Sequence, residues 1–241
     1  MVSLYQGNDS IFHPELRMKY TFKPDSLERL LLLKQKGTLR DAPYSSTFFN
    51  VEFAADRIEW TFKADSMNII SDGGRSTVPV IIESINYYDP EDFQLLQGKG
   101  FSFHPLALVV NYCFKKRVRE FYSGDLARYS NKDQLEINKA IEFLFQKGMI
   151  EYNTKTTLVK VKRKAIDFYR SYKSEGDYDN LKIHSVIDSL PNISLNLPKG
   201  YMTVRGVDEF KVSDSLNVRI KPDSNIITLL QNRDLKFDGT I

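Results

Sequence analysis

The spacing of apolar residues changes period twice along this chain, and those changes bound what it can fold into. Leu16, Met18, Tyr20 and Phe22 alternate with Arg17, Lys19 and Thr21; Ile58, Trp60 and Phe62 alternate with Glu59, Thr61 and Lys63. A period of two is that of a strand with one buried face. From Pro105 the period lengthens. Leu106, Val109, Val110, Cys113, Phe114, Val118 and Phe121 recur at intervals of three and four, which predicts a helix of about four turns opened by proline and ended at Ser123-Gly124. From about Leu181 the shorter period returns in ISLNL, YMTVRGV, LNVRI and NIITLL, separated by Pro, Gly and Asp-Ser turns. The pattern predicts an α+β chain in three parts: a β-rich segment over 1–104 with one or two short helices, a helical module over 105–173, and a β-rich segment over 174–241.

The turns have their own signature. Asp-Ser occurs six times, at Asp9, Asp25, Asp65, Asp188, Asp214 and Asp223. An Asp carboxylate accepts a backbone N–H two or three residues ahead, so the pair suits a turn or a helix N-cap. At Asp25, with Glu28 three residues on, then Leu27, Leu30, Leu31, Leu33 and finally Gly37, it predicts a capped helix. At Asp65 it predicts a turn before Met67–Ile70, and SDGG at Ser71–Gly74 predicts another. Pro79 makes the following β-branched run an edge strand or a late-starting one. In YYDPEDF, Asp-Pro followed by acidic residues predicts a helix start. The final NRDLKFDGTI predicts an Asp-Gly turn whose last strand lacks a partner, and so a piece of a longer chain.

Within the helical module the order is legible further. A short helix is predicted over Asp125–Tyr129. A third, capped by Ser130 or Asn131, buries Ile137, Ile141, Leu144 and Phe145 up to Gly148. Strands Met149–Asn153 and Leu158–Lys162 flank a polar turn, and a last helix runs over Arg163–Lys173. Helix, short helix, helix, strand, turn, strand resembles a winged helix, the stretch Ile141–Lys162 carrying the resemblance. That fold serves both nucleic-acid binding and protein–protein contact. The phrases GNDSIFHPELRMKY, LRDAPYSSTFFNVEFAADRIEW, YMTVRGVDEFKVSDSLNVRIKPDSN and NRDLKFDG resemble a segment of very large, uncharacterised β-rich proteins of Gram-negative bacteria. That resemblance implies a secreted or envelope protein of which this is an internal part, and implies no activity. Read as a complete chain, with neither a signal peptide nor an apolar span of about 20 residues, the sequence points instead to the cytoplasm.

Charge is uneven. From Cys113 to Lys173 there are 15 Lys and Arg against 7 Asp and Glu, a net of +8; the remaining 19 against 24 give −5. KKRVR at Lys115–Arg119 and KVKRK at Lys160–Lys164 are the densest basic runs. Lys160 and Lys162 are expected to project from the wing strand while Val159 and Val161 point inward. Lys155, Lys160, Lys162, Arg163 and Lys164 are therefore the candidate partner-binding residues. Asp133, Glu136 and Glu142 on the third helix oppose its entry into a phosphate-lined groove.

Catalysis has little support. His13 and His104 repeat a Phe-His-Pro phrase, and His184 stands apart. Cys113 lies on an apolar stripe, which reads as core. Asp177, Asp179 and Asp188 lack a calcium-loop spacing. Gly98-Lys99-Gly100 lacks the residues that complete a phosphate loop. Glu52, Glu59 and Glu83 alternate with apolar neighbours and are expected to face solvent, not to form the converging carboxylates of a polysaccharide hydrolase. No catalytic, metal-binding or cofactor-binding residue is assigned. The expected function is a non-catalytic structural or protein-interaction module of a larger protein; the alternative is a winged-helix nucleic-acid binder using a basic wing.

Overall fold

The computed structural model describes residues 2–6, 8–13, 16–21, 29–34, 42–61, 64–71, 79–98, 100–174, 179, 181–187, 191–213, 218–231 and 234–240. The fold is mixed α+β. It divides into two compact units, one from the chain up to 36, 43–85 and 180–241, the other from 37–42 and 86–179.

The first unit is made of strands. Before the helical unit come β1 (Val2–Gln6), β2 (Asp9–His13), β3 (Leu16–Thr21), β4 (Arg29–Lys34), β5 (Tyr44–Ser46), β6 (Val51–Ala54), β7 (Arg57–Thr61), β8 (Ser66–Ile70) and β9 (Val80–Ser84). The helical unit then supplies α1 (Pro90–Leu95), α2 (Pro105–Lys116), β10 (Glu120–Tyr122), α3 (Ser123–Ser130), α4 (Gln134–Gln146), β11 (Ile150–Asn153), β12 (Leu158–Val161) and α5 (Arg163–Tyr172). The β unit resumes with β13 (Lys182–Ser185), β14 (Ile193–Asn196), β15 (Tyr201–Arg205), β16 (Phe210–Ser213), β17 (Val218–Pro222), β18 (Ile226–Leu230), β19 (Leu235–Lys236) and β20 (Gly239–Thr240).

Two antiparallel sheets form the β unit, ordered β1-β2-β5-β6-β9-β13-β16-β17-β20 and β19-β18-β15-β14-β8-β7-β4-β3. Alternation puts one face of each inside. Val51, Phe53, Val80, Ile82 and Ile183 from the first sheet share a core with Ile58, Met67, Ile69, Ile193, Leu195, Met202 and Val204 from the second. Each such side chain is essentially dry, and burial of one contributes about 1.5–3 kcal/mol. The two sheets are a sandwich over one core.

The leucine run predicted as a helix is strand β4. Its backbone bonds on both sides, with Leu32 opposite Met18 of β3 and Ile58 of β7. Two ladders outweigh the helix preference of leucine. The Asp25–Glu28 cap, the SDGG turn beyond Ser71, and Asp177, Asp188 and Asp214 lie outside the described residues. Pro79 precedes β9, which starts late and pairs with both β6 and β13, so it is not an edge. The last strand has a partner: Thr240 and Gly239 pair with Lys221 and Pro222 of β17. Asp223-Ser224 turns the chain between β17 and β18, whereas Asp9-Ser10 sits inside β2.

In the helical unit α1 begins where Asp-Pro predicts, with Asp89 accepting N–H bonds from Glu91 and Asp92. The α2 helix is shorter than its apolar stripe suggests. Arg117 turns left-handed at φ +57 and ends it, and Phe121 belongs to β10. Ser123 therefore opens α3 instead of closing α2. The cap of α4 is Asp133, whose carboxylate accepts from the Leu135 and Glu136 N–H groups. Ser130 instead bonds back to Leu126 O within α3, and Asn131 is the left-handed end of that helix. Leu106, Val109, Val110 and Cys113 of α2 pack with Ile137, Ile141, Leu144 and Phe145 of α4, Ala165 and Phe168 of α5, and Phe121, Val159 and Val161 of the small sheet. That sheet has the order β10-β12-β11. The unit takes in α1, upstream of the expected start at 105, through contact of α1 with α5: Phe93 stacks on Tyr172 at 3.9 Å.

Candidate functional site

The five candidate partner-binding residues do not form one basic surface. Val159 and Val161 point inward, so alternation along β12 turns Lys160 out. Lys160 lies in register with Glu120 on β10 and Glu151 on β11, its Nζ 3.7 Å from Glu120 Oε1. Arg163 Nε sits 3.3 Å from Asp167 Oδ2, one turn along α5. Lys162 is the half-buried N-cap position of α5, and Lys164 is 7% exposed. Lys155 stands alone at the β11–β12 turn, its N–H donating to Asn153 Oδ1. Lys160, Lys162 and Arg163 thus gather at one end of β12, with Lys155 at the other and Lys164 inside the unit.

A different basic surface is assembled by β10. The Val161 N–H donates to the Arg119 carbonyl at 2.8 Å, and Glu120 pairs with Lys160. That ladder lays KKRVR beside KVKRK, two runs about 40 residues apart in the chain. Every residue from Phe114 to Glu120 is exposed. Lys115 and Lys116 hold their ammonium groups over the Tyr129 ring, 5.4 and 5.9 Å from its centroid. Arg117 and Arg119 form no ion pair with any described residue. Phe114 is 49% exposed and Val118 38%, so apolar surface lies among the cations. The sequence hid this arrangement because Val118 and Phe121 extend the helical spacing of α2. Only the alternation Glu120-Phe121-Tyr122 signalled the strand, and three residues are too few to decide between periods.

Carboxylates elsewhere on the helical unit have structural work. Asp133 caps α4, and Glu136 Oε1 accepts from the Ser102 N–H at 3.4 Å and its hydroxyl at 3.2 Å. In the β unit, Glu52 corrects an expectation: it is 3% exposed, not solvent-facing. Its strand β6 runs between β5 and β9, where Ser45 Oγ donates to its Oε1 at 2.9 Å. Glu83, directly opposite it, is 3.3 Å from Lys182 Nζ. Glu59 is half-buried with Arg57 Nε at 3.1 Å.

His104 caps α2: its Nδ1 accepts from the Ala107 N–H at 3.3 Å, while Nε2 donates to Phe93 O at 2.9 Å. Burial holds this imidazole below its ordinary value of 6.5. His13 is fully buried against the Tyr44 ring, and His184 is exposed on β13. Cys113 is 4% exposed, and burial pushes its thiol up to about 11. Among the described residues no group of three His, Cys, Asp or Glu side chains could hold a metal ion, and no helix is long and apolar enough to cross a membrane. No known protein family, curated protein or solved structure matches the chain.

Proposed function

We propose that this chain is a non-catalytic interaction module in which a winged-helix unit, inserted into a β-sandwich, presents a binding surface to a protein partner or to the rest of a larger assembly. The order α2-β10-α3-α4-β11-β12 supports the winged-helix reading. The carrying observation is the placement of charge. The wing and the α4 helix, the parts that would enter a DNA groove, carry carboxylates beside their cations: Glu120 and Glu151 around Lys160, and Asp133 and Glu136 on α4. A groove lined with phosphates penalises each of them.

A salt titration of fluorescein-labelled duplex DNA tests this reading. Weak association that disappears by physiological salt is expected. Sub-micromolar affinity falling steeply and linearly with the logarithm of salt, and lost with Lys155→Gln/Lys160→Gln, would establish the nucleic-acid alternative instead.

A further inference from the structure

We infer that the surface formed by β10 and the end of α2 is a docking site for an extended, acidic protein segment. The inference rests on the interaction-module reading and specifies its partner.

Three observations combine. The first is charge: Lys115, Lys116, Arg117 and Arg119 are exposed in a row, and the β10–β12 ladder sets Lys160, paired with Glu120, beside them. Of these, Arg117 and Arg119 have no carboxylate partner among the described residues. Guanidinium groups favour carboxylates because two parallel N–H bonds fit the two oxygens.

The second is an open strand edge. β10 is the outer strand of its sheet. The Val161 N–H reaches Arg119 O and the Ser123 N–H reaches Thr157 O, so the odd-numbered residues of β10 bond toward β12. Alternation then turns the Glu120 and Tyr122 backbone groups to the open side. Asp125 already takes the Tyr122 N–H, at 3.4 Å, which leaves Glu120 as the point where an added strand would bond. Extended peptides join sheet edges in this way, taking affinity from the main chain and selectivity from flanking side chains.

The third is chemistry that a phosphate backbone does not reward. Phe114, Val118 and Tyr122 are 49%, 38% and 54% exposed around the cations. Glu120 and Asp167 lie on the same surface, each beside a cation it neutralises. A uniform line of phosphates cannot avoid those carboxylates, whereas a peptide can set apolar side chains opposite them. A peptide alternating acidic and apolar side chains places its carboxylates on Arg117 and Arg119 and its apolar groups on Val118 and Phe114.

The test is fluorescence anisotropy on the full chain with a labelled peptide of alternating Asp and Val as probe. Labelled duplex DNA and vesicles containing phosphatidylserine run in parallel. Arg117→Asn keeps the left-handed turn, because Asn tolerates it, and removes the charge; Arg119→Gln removes the second. The double variant is expected to weaken the peptide about tenfold, which corresponds to about 1.4 kcal/mol, while Lys199→Gln on the β unit changes nothing. Circular dichroism that matches the parent keeps the comparison clean, and Arg119→Glu alone, on an exposed side chain, repeats the loss if the double variant is misfolded. Peptide binding unaffected by either variant, or no peptide binding at all, overturns the site. DNA or vesicles binding more tightly than the peptide through the same arginines overturns both the site and the protein-partner reading, so the two failures are distinguishable.

Discussion

Replacing His104 with alanine should be among the more damaging single changes in the helical unit, although this residue is only half-buried. Three contributions are lost. The imidazole Nδ1 caps α2 through the Ala107 N–H, and loss of an N-cap costs about 1 kcal/mol. Its Nε2–H bond to Phe93 O contributes about another 1 kcal/mol. Its ring stacks on Phe93 with centroids 4.3 Å apart, worth about 0.5–1.5 kcal/mol. Partial relaxation of Phe93 reduces the total, so about 2–3 kcal/mol is expected, a shift of about 1 M in a urea midpoint. Helical circular dichroism follows the unit that contains His104. The single tryptophan, Trp60, lies in β7, so its fluorescence follows the other unit in the same titration. The pH dependence has a definite sign. Burial disfavours the charged ring, the Nδ1 contact requires it neutral, and the N-terminus of α2 repels a cation; these outweigh the Nε2–H bond to Phe93 O, which survives protonation. The folded state therefore holds the pKa of His104 below 6.5, and the unfolded chain takes up the proton first. Stability contributed by His104 is complete above pH 6.5 and declines as pH falls from there toward the lower folded value. His104→Asn keeps a capping oxygen without the titration, so its stability should decline less over that window. A loss under about 0.5 kcal/mol for His104→Ala, with His104→Asn declining in parallel with the parent, would refute the reasoning.

Other consequences are as direct. At Gly206, where φ is +67, an added Cβ would lie 2.2 Å from the Val186 carbonyl oxygen, so Gly206→Ala should lower the Trp60-monitored stability by about 3 kcal/mol or more. Asn192 is 1% exposed, accepts the Ser71 N–H and donates to the carbonyl and hydroxyl of Ser185; Asn192→Ala should cost about 2–4 kcal/mol in the same assay. Cys113, buried with its thiol pushed up to about 11, should react with Ellman's reagent at pH 8 only on the timescale of unfolding, and prompt native-state labelling would contradict its place in the core.

The parts of the fold that were legible in the sequence are those where local pattern and tertiary partner agree. Val159 and Val161 alternate with Lys160, and β12 is buried on the side they face. Ile137, Ile141, Leu144 and Phe145 recur with helical spacing, and α4 buries all four. The misread parts are those where two patterns overlap. Four consecutive leucines satisfy both a helix and a strand paired on both edges, and only β3 and β7 decide between them. Val118 and Phe121 continue the phase of α2, so the left-handed turn at Arg117 left no apolar signal. That overlap conceals the meeting of the basic runs, because it places β10 in phase with a helix. The burial of Glu52 is hidden for a similar reason: alternation assigns a residue to a face of its sheet but does not say whether that face is wet. The Asp-Ser pair marked punctuation correctly at Asp65 and Asp223, and not at Asp9, where Asp9 accepts from Thr47 Oγ across the ladder instead.

The meeting of the two basic runs can be measured as a covalent bond. Glu120 and Lys160 face each other at a site without hydrogen bonds between them, the closer of the two antiparallel spacings and one that suits a disulfide. In a Cys113→Ala background, Glu120→Cys with Lys160→Cys should oxidise under mild conditions to a bond joining positions 120 and 160, mapped by proteolysis and mass spectrometry. Glu120→Cys with Lys155→Cys, at the far end of the hairpin, should remain as two thiols. A 120–160 pair that stays reduced, or a 120–155 pair that oxidises as readily, would contradict the arrangement from which the binding surface is built.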